Sequence, residues 1–241
     1  MNTYHFPLKD RRDVAEGTTA FWFDTALSGF TFEAGQNIDL YLPGAPASGA
    51  NQDTMHSFSL ASSPHQTDHF IVATRMRSSA YKNTLRALPL GTALRVVGPN
   101  GNMVLHEDTN RPAVFLAGGI GITPFRSMVE WAGHQRLPHE ILLFYSNRTL
   151  ALTAFHDEFV EWSKTSPNFR YLPTLTDEQP AGWQFLTGKI DAAMLQKQVG
   201  DFTKPIFYLA GPPAMVGAMR QTLIDAGVKR DSVKLESFTG Y

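Results

Sequence analysis

The chain has 241 residues, 43% of them hydrophobic and 18% charged, which is the balance of a folded globular protein with room for two domains. A formal charge of −1 gives no global attraction to nucleic acid or to an anionic membrane. The absence of cysteine rules out disulfides, thiolate zinc sites and any cysteine-ligated iron–sulfur cluster on this chain.

The opening MNTYHFPLKDRRDVAEG is charged early and has no apolar stretch, so neither a secretory signal nor a spanning segment is expected, and a cytoplasmic protein is. Short runs of apolar and β-branched residues predict strands over 20–24, 37–42, 57–61, 70–76 and 93–97, parted by PGAPASGANQD, SSPHQTD and GPNGN. One short helix is predicted over 81–88. Strands at this spacing point to a small antiparallel β-barrel. The rhythm changes after DTNRP at 108–112, the expected junction between a domain over 1–108 and another over 109–241. Strands over 114–117, 141–146, 170–175 and 206–209 then alternate with helices over 124–134 and 155–163. PPAMVGAMRQTLIDAG reads as a last helix, with proline at its start and glycine at its end. This alternation predicts a doubly wound parallel α/β domain.

The stretch FLAGGIGITPF, 115–125, closes the first parallel strand. Gly118, Gly119 and Gly121 have no Cβ to hold a ligand away, and such strand ends are where open sheets bind ligands. Thr123 is suited to cap the next helix and Pro124 to its first position, which leaves free amides facing the turn and favours phosphate. The spacing G-x-G-x-x-P departs from the usual dinucleotide fingerprint. A plain structural turn is the alternative, because glycine serves wherever a positive φ is needed. A second strand-to-helix turn, at Gly211, Pro212 and Pro213, makes a nucleotide crevice the better reading.

In the first half, MHSFSLASSP alternates so that Ser57 and Ser59 share one strand face and Phe58 and Leu60 the other. No acidic residue lies between Asp68 and Glu107, while Arg75, Arg77, Lys82, Arg86 and Arg95 do. This is either a solvated basic face or an anion site. RMRSSAYKNTL places Ser78 or Ser79 at the N-cap of the one helix there, beside those cations.

In chain order, HSFSLAS, GPNG, GGIGITP, AGPPAMV and ESFTGY resemble the motifs of the ferredoxin–NADP⁺ reductase family. The resemblance covers nearly the whole chain. It implies an FAD-binding antiparallel barrel followed by an NAD(P)-binding α/β domain, with hydride passing from NAD(P)H to flavin N5. It implies that Ser59 lies near N5, that Phe58 packs beside the flavin where the family has tyrosine, and that His56 replaces the family's arginine at the FAD pyrophosphate. Lys82 is then expected to supply the missing permanent charge, within a segment that also holds Arg75 and Ser79. Gly119, Gly121, Thr123 and Pro124 would take the dinucleotide pyrophosphate, and Gly211 and Pro212 would border the nicotinamide. Glu236 and Phe238 would stand at the flavin edge, with Tyr241 as the rival aromatic cover. Ala210 occupies the family's cysteine position.

FYSNR ends the second parallel strand, where Ser146 and Arg148 could take a 2′-phosphate. Asp177 would oppose it. The expectation leans slightly to NADPH over NADH. Electrons would leave to a separate acceptor, either a soluble ferredoxin- or flavodoxin-type carrier docked on the basic segment or a small molecule. A non-catalytic flavin- or nucleotide-binding relay subunit is the rival reading.

Overall fold

A computed structural model of the chain describes residues 2–26, 28–46, 50–51, 53–77 and 79–238. The first half is an antiparallel sheet of six strands: β1 (Asn2–Ala15), β2 (Thr18–Asp24), β3 (Asn37–Tyr41), β4 (Met55–Ser59), β5 (His69–Arg75) and β6 (Ala93–Asn100). Their order is β4-β3-β6-β1-β2-β5. The two edges meet just past β4, where the Ala61 amide donates to Ile71 O at 2.8 Å, so the sheet curls into a barrel. Its interior is filled by alternate side chains, among them Phe6, Phe21, Phe23, Ile38, Phe70 and Val96. Helix α1 (Ala80–Ala87) seats Tyr81 and Leu85 in this core.

The second half is a parallel sheet of β7 (Ala113–Gly118), β8 (Ile141–Asn147), β9 (Phe169–Leu175), β10 (Leu186–Thr187), β11 (Ile206–Gly211) and β12 (Val233–Ser237). It carries α2 (Thr123–Gln135), α3 (His156–Thr165), α4 (Ala192–Val199) and α5 (Pro213–Asp225). The order β10-β9-β8-β7-β11-β12 reverses direction between β7 and β11, so the glycine turns after those two strands stand side by side at the switch point. Side chains 113, 115 and 117 of β7 enter a core shared with α2 and α3, while Val114 and Leu116 enter the core on the other face with residues of α4 and α5. The shared core also takes Ala20, Ala61, Ile71, Ala73 and Met103, which precede the second sheet in the chain. Apolar packing is therefore continuous from one half to the other. Among the described residues, no helix is long and apolar enough to cross a membrane.

The structure differs from the sequence expectations in several places. β1 is not among the expected strands. It runs through Pro7 and the exposed charges around Arg11 and Arg12, and is held by pairing with both β2 and β6. GPNG is a turn signal, yet β6 continues to Asn100, with a register irregularity opposite Asn37 and Asp39 absorbing the glycine at positive φ. α4 and β12 also lie outside the expected elements.

Candidate active site

A cleft of about 450 Å³ lies where the two halves meet. The barrel contributes His56, Ser57, Phe58 and Ser59 from β4, Ala73, Thr74 and Arg75 from β5, and Lys82 from α1. The parallel domain contributes Ile120, Thr123 and Phe238. The wall is thus cationic and hydroxylic on the barrel side, with apolar groups at Phe58, Ile120 and Phe238.

Strand alternation in β4 explains the barrel wall. Phe58 packs into the barrel core, and Ser59 is buried while Ser57 is exposed. Ser57 Oγ donates to Asp39 Oδ1 across the β3–β4 pair. Ser59 Oγ donates to Glu236 Oε2 at 3.4 Å, and Asn37 Nδ2 donates to Glu236 Oε1 at 3.3 Å. A carboxylate from the last strand therefore reaches two barrel strands. Burial pushes its pKa up, partly offset by the bonds from Asn37 and Ser59. Phe238 follows, tethered by its amide to Gly211 O at 3.1 Å.

His56 stacks on Tyr81, ring centroids 4.2 Å apart, and the Tyr81 hydroxyl donates to Leu40 O at 2.9 Å. Lys82 is only 7% exposed. Burial, then the neighbouring Arg77, lowers its pKa. Ser79 is the N-cap of α1, accepting from the Lys82 amide at 3.2 Å. Ser78 lies outside the described residues, as does Tyr241. Arg95 does not line the cleft. It stacks on the Tyr41 ring at 3.7 Å and donates to Pro46 O.

The glycine turn has a more mechanical origin than ligand access alone. A Cβ on Gly121 would lie 2.3 Å from Ala210 O, and one on Gly118 would lie 2.3 Å from Met215 Sδ. Gly211, at φ 154°, lies against the backbone of Gly118. The two turns thus pack backbone to backbone, and Gly121 and Gly211 leave no room for a side chain whether or not a ligand is present. Gly119 differs. It has φ 53°, and its missing Cβ faces the Arg75 guanidinium at 3.0 Å. Thr123 is not the N-cap. Residues 119–122 already form a 3₁₀ turn that runs into α2, so Thr123 is its first helical residue, Pro124 its second, and Thr123 Oγ1 donates back to Ile120 O at 3.1 Å. Pro212, by contrast, caps α5.

Arg75 donates to Asn147 Oδ1 at 3.4 Å, and Asn147 Nδ2 is buried with no partner among the described residues. Ser146 is in register with Gly118. Arg148 is exposed, with Nε 3.9 Å from Asp177 Oδ2. Neither Ser146 nor Arg148 lines the cleft; both sit beside it at the carboxyl end of β8. Sequence reasoning missed Asn37 and Asn147, although Asn147 stands between Ser146 and Arg148 in FYSNR.

This arrangement is that of a two-domain flavin and nicotinamide reductase fold. Residues 115–221 match the family model described as the oxidoreductase NAD-binding domain. The chain is 25% identical over 208 residues to reductase component 1 of terephthalate 1,2-dioxygenase from Comamonas, covering 86% of this chain and 59% of that one. Among solved structures, the cytochrome P450 reductase GcoB of Amycolatopsis superposes with a TM-score of 0.83 at 25% identity, covering 99% of this chain and 71% of that one. A ferredoxin NADP⁺ reductase from Neisseria gonorrhoeae, solved with FAD and NADP, superposes with a TM-score of 0.80 at 21% identity, covering 98% and 99%. Residues 115–221 thus match an oxidoreductase NAD-binding domain, and the whole chain shares the two-domain fold of the ferredoxin NADP⁺ reductase. The chain spans under two thirds of the length of the terephthalate dioxygenase reductase that it matches.

Proposed function

We propose that this chain is an FAD-dependent NAD(P)H oxidoreductase that delivers electrons to a separate acceptor. The observation that carries the reading is the shared cleft: Ser59 and Phe58 of the barrel face Ile120, Thr123 and Phe238 of the nucleotide-binding half in one cavity.

The wall suits an isoalloxazine with a phosphate tail. Phe58 offers an apolar ring face, Ser59 a hydroxyl, Lys82 the cationic end and His56 an imidazole beside it. The turn at 119–122 and the first turn of α2 suit a dinucleotide pyrophosphate, with Arg75 and the unpartnered Asn147 amide as further donors. FAD, when bound, supplies a two-electron hydride acceptor that no side chain provides. The residues themselves orient and exclude. Ser59 is held by Glu236, and Phe238 covers the cleft from the C-terminal side. No acid–base dyad is required of them.

Asp177 beside Arg148 favours NADH over NADPH, because a carboxylate there opposes a 2′-phosphate. With no cysteine among these 241 residues, a cysteine-ligated cluster would have to lie outside them. The names of the relatives favour an oxygenase-type or ferredoxin-type protein as the acceptor. The experiment is anaerobic: protein reconstituted with FAD should be yellow, and NADH should bleach it without partners. Colour without bleaching would favour the non-catalytic relay, and a protein that takes up neither ligand would remove the reading altogether.

A further inference from the structure

Arg126 lies one turn into α2, outside the cleft, and is 6% exposed. Its Nη1 donates to Ala61 O, across the seam between the halves, at 2.7 Å. The same guanidinium meets Glu130 Oε2 at 3.2 Å and Glu158 Oε2 at 2.7 Å. It stands over the Phe155 ring at 4.9 Å and the Trp162 ring at 5.5 Å. Phe155 holds a left-handed backbone, φ 61°, a conformation bulky residues rarely adopt unless the surroundings enforce it. Two further bonds run along this seam. Ser127 Oγ donates to Ser62 O at 2.6 Å, and Gln66 Nε2 donates to Glu130 Oε1 at 2.7 Å.

The positions of these contacts give them meaning. Ala61 is two residues past Ser59 on one chain segment, and Arg126 is three residues past Thr123 on the other. A buried, five-donor fork with fixed planar geometry is suited to setting a distance, which a flexible ammonium is not. We infer that Arg126 is a positioning residue, a clasp that fixes the separation between the Ser59 wall and the Thr123 turn and so the approach of the two ligands. The inference rests on the proposed function for its kinetic consequence, but not for its structural one.

The lack of native cysteine makes the test clean. Leu90→Cys on the barrel side and Ala218→Cys on α5, both exposed positions, carry spin labels in the full-length chain, and pulsed dipolar spectroscopy reads the distance between the halves with and without FAD. One narrow distribution is expected for the parent. Arg126→Met should broaden it, and Arg126→Lys, which keeps charge but loses the fork, should fall between. Arg12→Met, at an exposed pair on the barrel, should leave it unchanged. Stopped-flow bleaching at saturating NADH should slow at least ~10-fold in Arg126→Met, since small misplacements of reacting groups have effects of that order, while the Kd for FAD stays within ~3-fold, as no side chain that lines the barrel wall of the cleft is changed. A parent-like distribution in Arg126→Met overturns the clasp. Should that variant not fold, a parent-like distribution in Arg126→Lys does so. A parent chain that takes up no FAD defeats the functional reading, and the label distances still decide the clasp.

Discussion

Lys82 lines the cleft on the barrel side and burial lowers its pKa, so a phosphate bound there would favour its charged form. Arg95 carries the same charge but is engaged with Tyr41 and Pro46 outside the cleft. Lys82→Ala should therefore weaken FAD binding by roughly 10-fold or more, the ~1.5–3 kcal/mol of a charge-assisted bond, and Arg95→Ala by no more than ~2-fold. Fluorescence titration of apoprotein measures both, and equal effects would remove Lys82 from its assigned role. Glu236 gives a second prediction at this scale. Its folded pKa is raised by burial, so its contribution to stability is fully present below the ordinary carboxylate pKa and is lost as pH rises through the folded value. Glu236→Gln keeps an acceptor for Asn37 and presents an amide to the Ser59 hydroxyl. The melting temperature of the variant relative to the parent should rise as pH increases from 4.5 towards neutrality, by roughly 2–4 °C for each ~1 kcal/mol relieved. A difference that is flat across this range would mean that the carboxyl is not penalised.

At the scale of elements, the turns after β7 and β11 are locked together by absent side chains. Gly121→Ala would drive a Cβ into the backbone of Ala210 and Gly211 at 2.3–2.6 Å, which neither strand end can yield without breaking its pairing, and should cost at least ~3 kcal/mol by urea unfolding. Gly217, inside α5 with nothing within 4 Å of an added methyl, should gain ~0.5–1 kcal/mol on substitution by alanine. These two outcomes separate a packing glycine from a tolerated one. The glycine cluster is plain in the sequence, but its reason is not, since the contact partner lies on a strand far along the chain (Ala210 against Gly121). The same physics governs what else is legible. β7, β8 and β11 are buried on both faces and read directly as apolar runs. β12 is a half-exposed edge strand, VKLES, without such a run, and its Glu236 enters only through the family resemblance. α4 does carry a signal in its end residues: Asp191 Oδ1 caps the Met194 amide and Gly200 ends the helix. β1 gives little warning, because two partners hold a strand whose own charges face water.

For the whole molecule, the decisive feature is that the candidate cleft takes its wall from both halves. Arg75 belongs to the barrel, yet its guanidinium faces Gly119 and donates to Asn147 of the parallel domain. A residue so placed should act on the part of a dinucleotide that NADH and NADPH share. Arg75→Met is therefore expected to raise the Kd of both nucleotides by a similar factor, roughly 10-fold for loss of one charged donor, and to make both less dependent on salt. Asp177→Asn should do something different. Removing the carboxylate that stands 3.9 Å from Arg148 frees that cation for a 2′-phosphate, so the Kd of NADPH should fall several-fold while that of NADH stays put. Titration of FAD-reconstituted protein with the oxidised nucleotides separates the two effects without turnover. If Arg75→Met weakens FAD alone and leaves both nucleotides unchanged, the guanidinium serves the barrel's own ligand, and the bridge to Asn147 is structural. If it weakens only NADPH, the phosphate contact must be reassigned from the shared pyrophosphate to the ribose end, and Asp177→Asn in the Arg75→Met background would then no longer improve NADPH binding.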